Sequence, residues 1–265
     1  MNHTPRKRFG QNFLRDEGVV QRIVMAVNPA ANEHLVEIGP GEGVMTAAFL
    51  AHGCQRLDAV EIDRDLAALL GRRFKGNTHF QLHQADALKF NFHRLSSGEK
   101  LRVVGNLPYN ISTPLMFHLF GQSDLIEDMH FMLQKEVIDR LCAEADDPDY
   151  GRLSIMAQYH CRAEKLFEVA PESFFPPPKV TSAIVRLVPH GVKPVDVDAA
   201  TLNRVVATAF SQRRKTLRNS VKTLLDQDEL EALDINPNAR AETLTLDQYA
   251  RMAKYLVEKE ATPSL

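Results

Sequence analysis

Residues 36–46 read Val-Glu-Ile-Gly-Pro-Gly-Glu-Gly-Val-Met-Thr: an apolar strand-like run, three glycines at alternate positions, and the opening of a helical pattern. A strand that becomes a helix through Gly39, Gly41 and Gly43 restricts the fold more than any other element of the chain. Glycines there permit tight turning and let a ligand approach bare backbone. Val44 follows Gly43, so the G-x-G-x-x-G spacing of a pyrophosphate-binding turn fails. Glu37, just ahead of the turn, is awkward for a pyrophosphate and suited to a cationic or ammonium-bearing ligand.

The surrounding pattern alternates strands and helices. Asp16 caps a helix whose apolar positions Val19, Val20, Ile23, Val24 and Val27 have helical spacing, ending near Asn28-Pro29. Strands are predicted at 34–39, 56–62, 78–82, 101–105 and 129–133, with helices at 44–51, after Asp63, and at 114–120. Helical periodicity resumes over 136–142 and 153–159. Two last strands, 163–169 and 183–188, flank the loop Phe174-Phe175-Pro176-Pro177-Pro178. This alternation implies an α/β fold, a mostly parallel sheet with helices on both faces. The last two strands also suit a hairpin-like antiparallel edge. After residue 194 everything reads helical: 199–210, the basic stretch that follows, 228–233, and 246–257 with a Thr245/Gln248 capping box. The expected division is a domain over 1–194 and a small all-helical domain over 195–265.

Ligands of open α/β sheets gather at the C-terminal strand ends. Glu61, ending the second strand, can accept both hydroxyls of a ribose, and Asp86 after the third can accept an adenine amino group. With Glu37 and the glycine turn they describe an adenosine bearing a charged, phosphate-free tail, which S-adenosylmethionine fits. The fourth strand runs into Asn106-Leu107-Pro108-Tyr109. The Asn106 side-chain oxygen and the Pro108 carbonyl are acceptors beside the aromatic face of Tyr109, a set that can hold a planar base by its exocyclic amine. Hydrogen bonds from that amine would turn its lone pair toward a sulfonium methyl, leaving catalysis to alignment and electrostatics. Phe175 is the candidate to stack on the base from the opposite face, with Phe174 turned into the core. Gln11 or Asn12, in the leader, would fold over the cofactor mouth.

The 265 residues carry 32 Lys+Arg against 34 Asp+Glu, a net charge of −2, which argues against indiscriminate polyanion binding. The charges are segregated, however. Residues 203–222 hold six basic side chains and no acidic one, whereas 124–149 hold nine acids and two bases. Arg213, Arg214, Lys215 and Arg218 form the densest positive patch, and Arg214 and Arg218 are expected to share a helical face as phosphate contacts. Three separated cysteines read as buried reduced thiols, and no apolar run reaches the ~20 residues that cross a bilayer. His79, His83 and His93 lack a closed metal constellation, so no metal is expected, and the thiols and the missing span leave a cytoplasmic or nucleoid location, of which the cytoplasm is the expectation.

Over essentially its whole length the chain resembles the ribosomal RNA adenine N6,N6-dimethyltransferase family. The resemblance rests on QNFL (11–14), VEIGPGEGVMT (36–46), VEID (60–63), QADAL (84–88), NLPYNIST (106–113), FFPPPKVTSA (174–183) and AFSQRRKTLRN (209–219). It implies a Rossmann-like seven-stranded methyltransferase sheet followed by a small helical domain. Two adjacent adenosines in a 3′-terminal hairpin loop of small-subunit rRNA would each receive two methyl groups from S-adenosylmethionine, leaving S-adenosylhomocysteine. By likeness Gln11, Asn12 and Leu14 border the cofactor, Gly39, Gly41 and Gly43 pass its methionine portion beside Glu37, and Glu61 holds the ribose. Asp86 and Ala87 meet the adenine, Asn106, Pro108 and Tyr109 present the target amine, and Phe175 stacks on the target. The implied partners are small-subunit rRNA and the immature 30S subunit, with no membrane and a monomeric state. Rival readings are a large-subunit rRNA dimethyltransferase, an adenine-N6 DNA methyltransferase, a protein methyltransferase, and a catalytically idle assembly factor.

Overall fold

A computed structural model describes residues 12–212 and 214–261. The chain forms two compact units, one from residues up to 138 together with Ala163–Pro189, the other from Asp139–Arg162 together with the residues after 189. The second unit is therefore discontinuous. Chain order places the expected boundary at 194/195, whereas packing groups 139–162 with the later helices.

The first unit is built on a seven-stranded sheet. Its strands are β2 (His34–Ile38), β3 (Leu57–Glu61), β4 (Phe80–Gln84), β5 (Leu101–Asn106), β6 (Ile126–Gln134), β7 (Cys161–Val169) and β9 (Ser182–Pro189). The order is β4-β3-β2-β5-β6-β9-β7. Strands β4 to β6 run parallel, and β9 lies antiparallel against β6 with Met129 opposite Leu187. The sheet is thus mixed, and the reversed β9 sits inside it, with β7 at the edge. Every residue of β2 and β3 is buried, His34, Glu37, Asp58 and Glu61 included, which is why the apolar residues of these strands do not simply alternate with solvent-facing ones.

Local chemistry sets the helix ends. In α1 (Glu17–Val27) the Asp16 carboxylate accepts from Val19 N, and Asn28 closes the helix in the left-handed conformation. Gly43 opens α2 (Val44–Ala51), and Asp63 caps α3 (Arg64–Arg73) through the N–H groups of Asp65 and Leu66. Pro114 occupies the first turn of α4 (Ser112–Phe120), where its missing N–H costs nothing. β4 begins two residues later than expected, because Asn77 ties down the N–H groups of His79 and Phe80 in a turn after Gly76. A two-stranded ladder completes the unit: β1 (Phe13–Leu14) pairs antiparallel with β8 (Phe174–Phe175), across a chain separated by about 160 residues.

The second unit contains the C-terminal half of α5 (Lys135–Cys142), together with α6 (Arg152–His160), α7 (Ala199–Phe210), α8 (Leu217–Ser220), α9 (Gln227–Ala232) and α10 (Leu246–Ala261). Leu202, Val205, Val206 and Ala209 of α7 and Tyr249, Met252, Ala253 and Leu256 of α10 form its core. The buried Tyr150 and Tyr249 hydroxyls donate to the carbonyls of Leu244 and Ala241, so neither is left unsatisfied. The Thr245/Gln248 box forms, with Thr245 N donating to Gln248 Oε1 at 2.9 Å.

The basic stretch is not one helix. α7 stops at Phe210, a turn covers the next residues, and Arg218 lies in the short α8 while Arg214 lies in the turn. The N–H groups of Leu217 and Arg218 are captured by the carbonyls of Ala239 and Pro237, which removes the donors a continuing helix would need. Arg214 and Arg218 therefore share no helical face. Arg213 lies outside the described residues.

Candidate active site

The strand order reverses between β2 and β5, and β2 has β3 on its other side. Ligands of open α/β sheets bind in the crevice outside the strand ends at such a reversal. A cavity of about 280 Å³ opens there, walled by the residues that follow β2, β3, β4 and β5. Two sequence features shape it. Gly39, Gly41 and Gly43 all have positive φ, between 60° and 78°, which admits the turn. Gly105 lets β5 come close to β2: a Cβ there would lie 2.6 Å from the Ile38 carbonyl oxygen.

Most of the predicted cofactor residues converge on this cavity. Asn12 and Leu14 reach it from the N-terminal segment, Glu37, Gly39 and Gly41 from the turn after β2, and Glu61 from β3. Asp86 and Ala87 line it from the loop after β4, and Asn106, Pro108 and Tyr109 from the end of β5. Gly43 does not line it; a side chain there would strike Leu70 and Phe74, so this glycine serves the packing of α3 against α2. Phe175 does not line it either. It is 58% exposed, while Phe174 is buried. Gln11 lies outside the described residues.

The acids differ in character. Glu61 is buried, with Asp63 N donating to one carboxylate oxygen at 2.8 Å and Gly41 N to the other at 3.3 Å. This links the end of β3 to the glycine turn. Burial raises the Glu61 carboxyl above the usual range, and those backbone donors oppose the rise. Glu37 is equally buried and accepts from the Thr46 hydroxyl at 2.5 Å. Burial, with the neighbouring Glu61 adding to it, pushes Glu37 up to about 7, so it is not the permanently ionised group its position in sequence suggests. Asp86 receives Leu88 N at 3.0 Å, which fixes the loop after β4.

At the end of β5, Asn106 Nδ2 donates to the Asn12 carbonyl at 3.1 Å, leaving Oδ1 as the acceptor. The Pro108 carbonyl is engaged, contrary to expectation: it accepts Ile111 N at 3.2 Å in the turn before α4, which leaves one lone pair for another donor. Tyr109 holds its hydroxyl 2.9 Å from Ser182 Oγ on β9, and burial raises its phenol above the ordinary value.

Several residues of the site were not singled out from sequence. Phe13 lines the cavity with its ring 3.2 Å from where a Gly41 side chain would begin, and it pairs with Phe175 in the β1–β8 ladder. Ile62 lines the cavity and is 48% exposed, an apolar residue at a strand end between two acids, and that placement is the signal that marks it. Arg15 pairs with Glu42 of the glycine turn at 2.7 Å, and Arg15 N and Asp16 N both donate to the Ser173 carbonyl. The segment after Asn12 is thus pinned both to the glycine turn and to the loop that carries Phe175.

The donor set fits an adenosyl ligand with a cationic tail. Bare glycine backbone, buried carboxylates, an amide and apolar walls line the cavity, and among the described residues no lysine or arginine lines it to meet a phosphate. Among the described residues no group of three metal-ligating side chains occurs.

The ribosomal RNA adenine dimethylase family model matches residues 2–258. The chain is 59% identical over 256 residues to the ribosomal RNA small subunit methyltransferase A of Methylococcus capsulatus, covering 97% of this chain and 99% of that protein. It is 56% identical over 261 residues to the protein of the same name from Pseudomonas fluorescens, covering 98% and 96%. Among solved structures it is similar to a dimethyladenosine transferase from Plasmodium falciparum, with a TM-score of 0.80 and 25% identity over 94% of this chain and 98% of that one. The 23S rRNA methyltransferase ErmE shares the fold, with a TM-score of 0.70 at 24% identity over 93% of this chain and 100% of that one. Strand order, cavity chemistry and these likenesses agree: the chain belongs to the ribosomal RNA adenine dimethylase family, enzymes that methylate adenine in rRNA with S-adenosylmethionine.

Proposed function

We propose that this protein converts two adjacent adenosines in the 3′-terminal hairpin loop of small-subunit rRNA to N6,N6-dimethyladenosine. The observation that carries the reading is the fixed amide of Asn106. Its N–H is committed to the Asn12 carbonyl, so its oxygen is the atom presented to a base amine at the mouth of the cavity. S-adenosylmethionine supplies an electrophilic methyl on sulfur. Asn106 Oδ1 and the remaining lone pair of the Pro108 carbonyl accept the two N–H atoms of the adenine amine and aim its lone pair at that methyl. Tyr109, held by Ser182, presents a ring to the base, and the exposed Phe175 closes on the opposite face. No general base is required before transfer; the proton leaves to water once the nitrogen is cationic.

Glu61 receives the ribose and Asp86 the adenine amine of the cofactor, with Ala87 and Ile62 as apolar neighbours. Arg214, Lys215 and Arg218, with Arg213, supply phosphate contacts that position rRNA without reading its sequence. The small-subunit assignment is supported by relatives named for that substrate at 52–59% identity over nearly the whole chain. A large-subunit substrate, as in the 23S enzyme, is the competing reading, and it has the fold alone behind it. We further propose action on the immature 30S subunit as a monomer in the cytoplasm. Among the described residues no helix is long and apolar enough to cross a membrane. Labelled methyl transfer to undermethylated small and large subunits, followed by nucleoside analysis and mapping, tests the proposal. Label in adjacent loop adenosines of the small subunit supports it, and label confined to the large subunit overturns it.

A further inference from the structure

Four carboxylates line the cavity, Glu37, Glu42, Glu61 and Asp86, and among the described residues no lysine, arginine or histidine does. Three of them have charged or backbone N–H partners: Arg15 for Glu42, Leu88 N for Asp86, and Asp63 N with Gly41 N for Glu61. Glu37 differs. It is 1% exposed, and the Thr46 hydroxyl on α2 is its one side-chain partner among the described residues. Glu61 at the end of β3 acts on it directly, and the cavity it shares is lined further by Glu42 of the turn, Asp86 after β4, and the neutral Asn106 and Tyr109 after β5, with Asp63 beside Glu61. None of these is a cation. A buried carboxylate facing another carboxylate without a counter-charge is costly to ionise.

We propose that Glu37 reads the charge of the ligand: it keeps its proton while the cavity holds no cation and loses it to solvent when the ammonium of an amino-acid-tailed adenosyl ligand enters. The inference rests on the cofactor reading above. In the step the Glu37 O–H bond breaks, the proton passes to bulk buffer, and the ligand ammonium keeps all its protons, so charge balances inside the cavity. With Glu37 at about 7, roughly half of the empty protein carries the proton at neutral pH, and binding releases about half a proton at pH 7. Release grows toward pH 6, where the empty site is mostly protonated, and fades toward pH 8.

Calorimetric titration of the full chain with S-adenosylhomocysteine, in two buffers of different ionisation enthalpy, measures this release. 5′-Methylthioadenosine, which lacks the amino-acid tail, is the matched probe and is expected to release none. Glu37→Gln is expected to abolish release with S-adenosylhomocysteine and weaken its binding roughly tenfold, while 5′-methylthioadenosine binds within about twofold of the original protein. The two-ligand comparison on the unaltered protein needs no variant to fold. Buffer-independent heats for S-adenosylhomocysteine overturn the proton coupling, and undiminished release in Glu37→Gln overturns the role of Glu37. Failure of both ligands to bind overturns the cofactor reading itself.

Discussion

Gly105 and Gly71 offer a paired substitution with opposite expected signs. A methyl group on Gly105 would sit 2.6 Å from the Ile38 carbonyl oxygen and 3.0 Å from Leu107 Cδ2. The side chain of Leu107 can turn aside, but the Ile38 oxygen belongs to the centre of the sheet, so β5 and β2 have to part by several tenths of an ångström. Overpacking of this kind costs about 1–3 kcal/mol, which for a chain of this size lowers the melting temperature by about 2–5 °C. Ile38 and Asn106 flank the clash and line the cavity, so Gly105→Ala should also weaken S-adenosylhomocysteine binding. Gly71 lies exposed within α3, with negative φ and open space around its Cα. Gly71→Ala should stabilise by about 0.5–1 kcal/mol through helix propensity and leave ligand binding unchanged. Thermal melts of both variants, with ligand titration, check the pair. A Gly105→Ala protein that melts with the original and binds ligand equally would refute the claim that this glycine sets the spacing of the two strands.

Asn106→Ala removes both the tie to Asn12 and the proposed amine acceptor. Methyl transfer should fall about 10²–10³-fold while rRNA binding persists, and equal losses of transfer and binding would undo that division. Arg214→Ala should weaken rRNA binding evenly across sequences and lower the salt slope by about one, so an unchanged slope removes Arg214 from the phosphate footprint. His130 is buried with neither ring nitrogen hydrogen-bonded among the described residues, and burial depresses it to about 4 against Asp128, which lies 3.8 Å from Nδ1 and favours the charged form. Because the unfolded chain binds the proton first, this group's stability contribution is complete above about 6.5 and is lost as pH falls toward 4, by about 3 kcal/mol. His130→Leu should therefore narrow the gap in melting temperature between pH 7 and pH 4; an identical pH profile would place the acid sensitivity elsewhere.

The site was legible in sequence wherever short-range chemistry decided it. Asp16 and Asp63 announce their helices because a capping carboxylate acts within three residues, and β2 and β3 announce burial by the adjacent apolar pairs Leu35-Val36 and Ala59-Val60, which put apolar side chains on both faces. Glu61 and Asp86 could be placed because strand ends of one parallel sheet share one edge. The rest depends on partners distant in sequence. Ser182 beneath Tyr109, Phe13 against Gly41 and the ladder from Phe13 to Phe175 join segments tens to hundreds of residues apart. The break in the basic stretch is of the same kind: helical propensity continues past Phe210, but the carbonyls of Pro237 and Ala239 take the N–H groups first. Likewise the Pro108 carbonyl looks free until the turn to Ile111 is known.

The position of β9 inside the sheet has a consequence for how the protein is made. β6 is complete at Gln134, yet the strand that covers its open side begins only at Ser182. At elongation rates of about 5–20 residues per second, that edge waits several seconds for its partner during synthesis. Through that interval a long strand whose apolar residues Met129, Phe131, Met132 and Leu133 are destined for burial lies bare beside a growing polypeptide, the situation in which nascent chains stick to one another. Residues 139–162 fill the wait, so the order of translation gives helices time to form before the last strand arrives to seal the sheet.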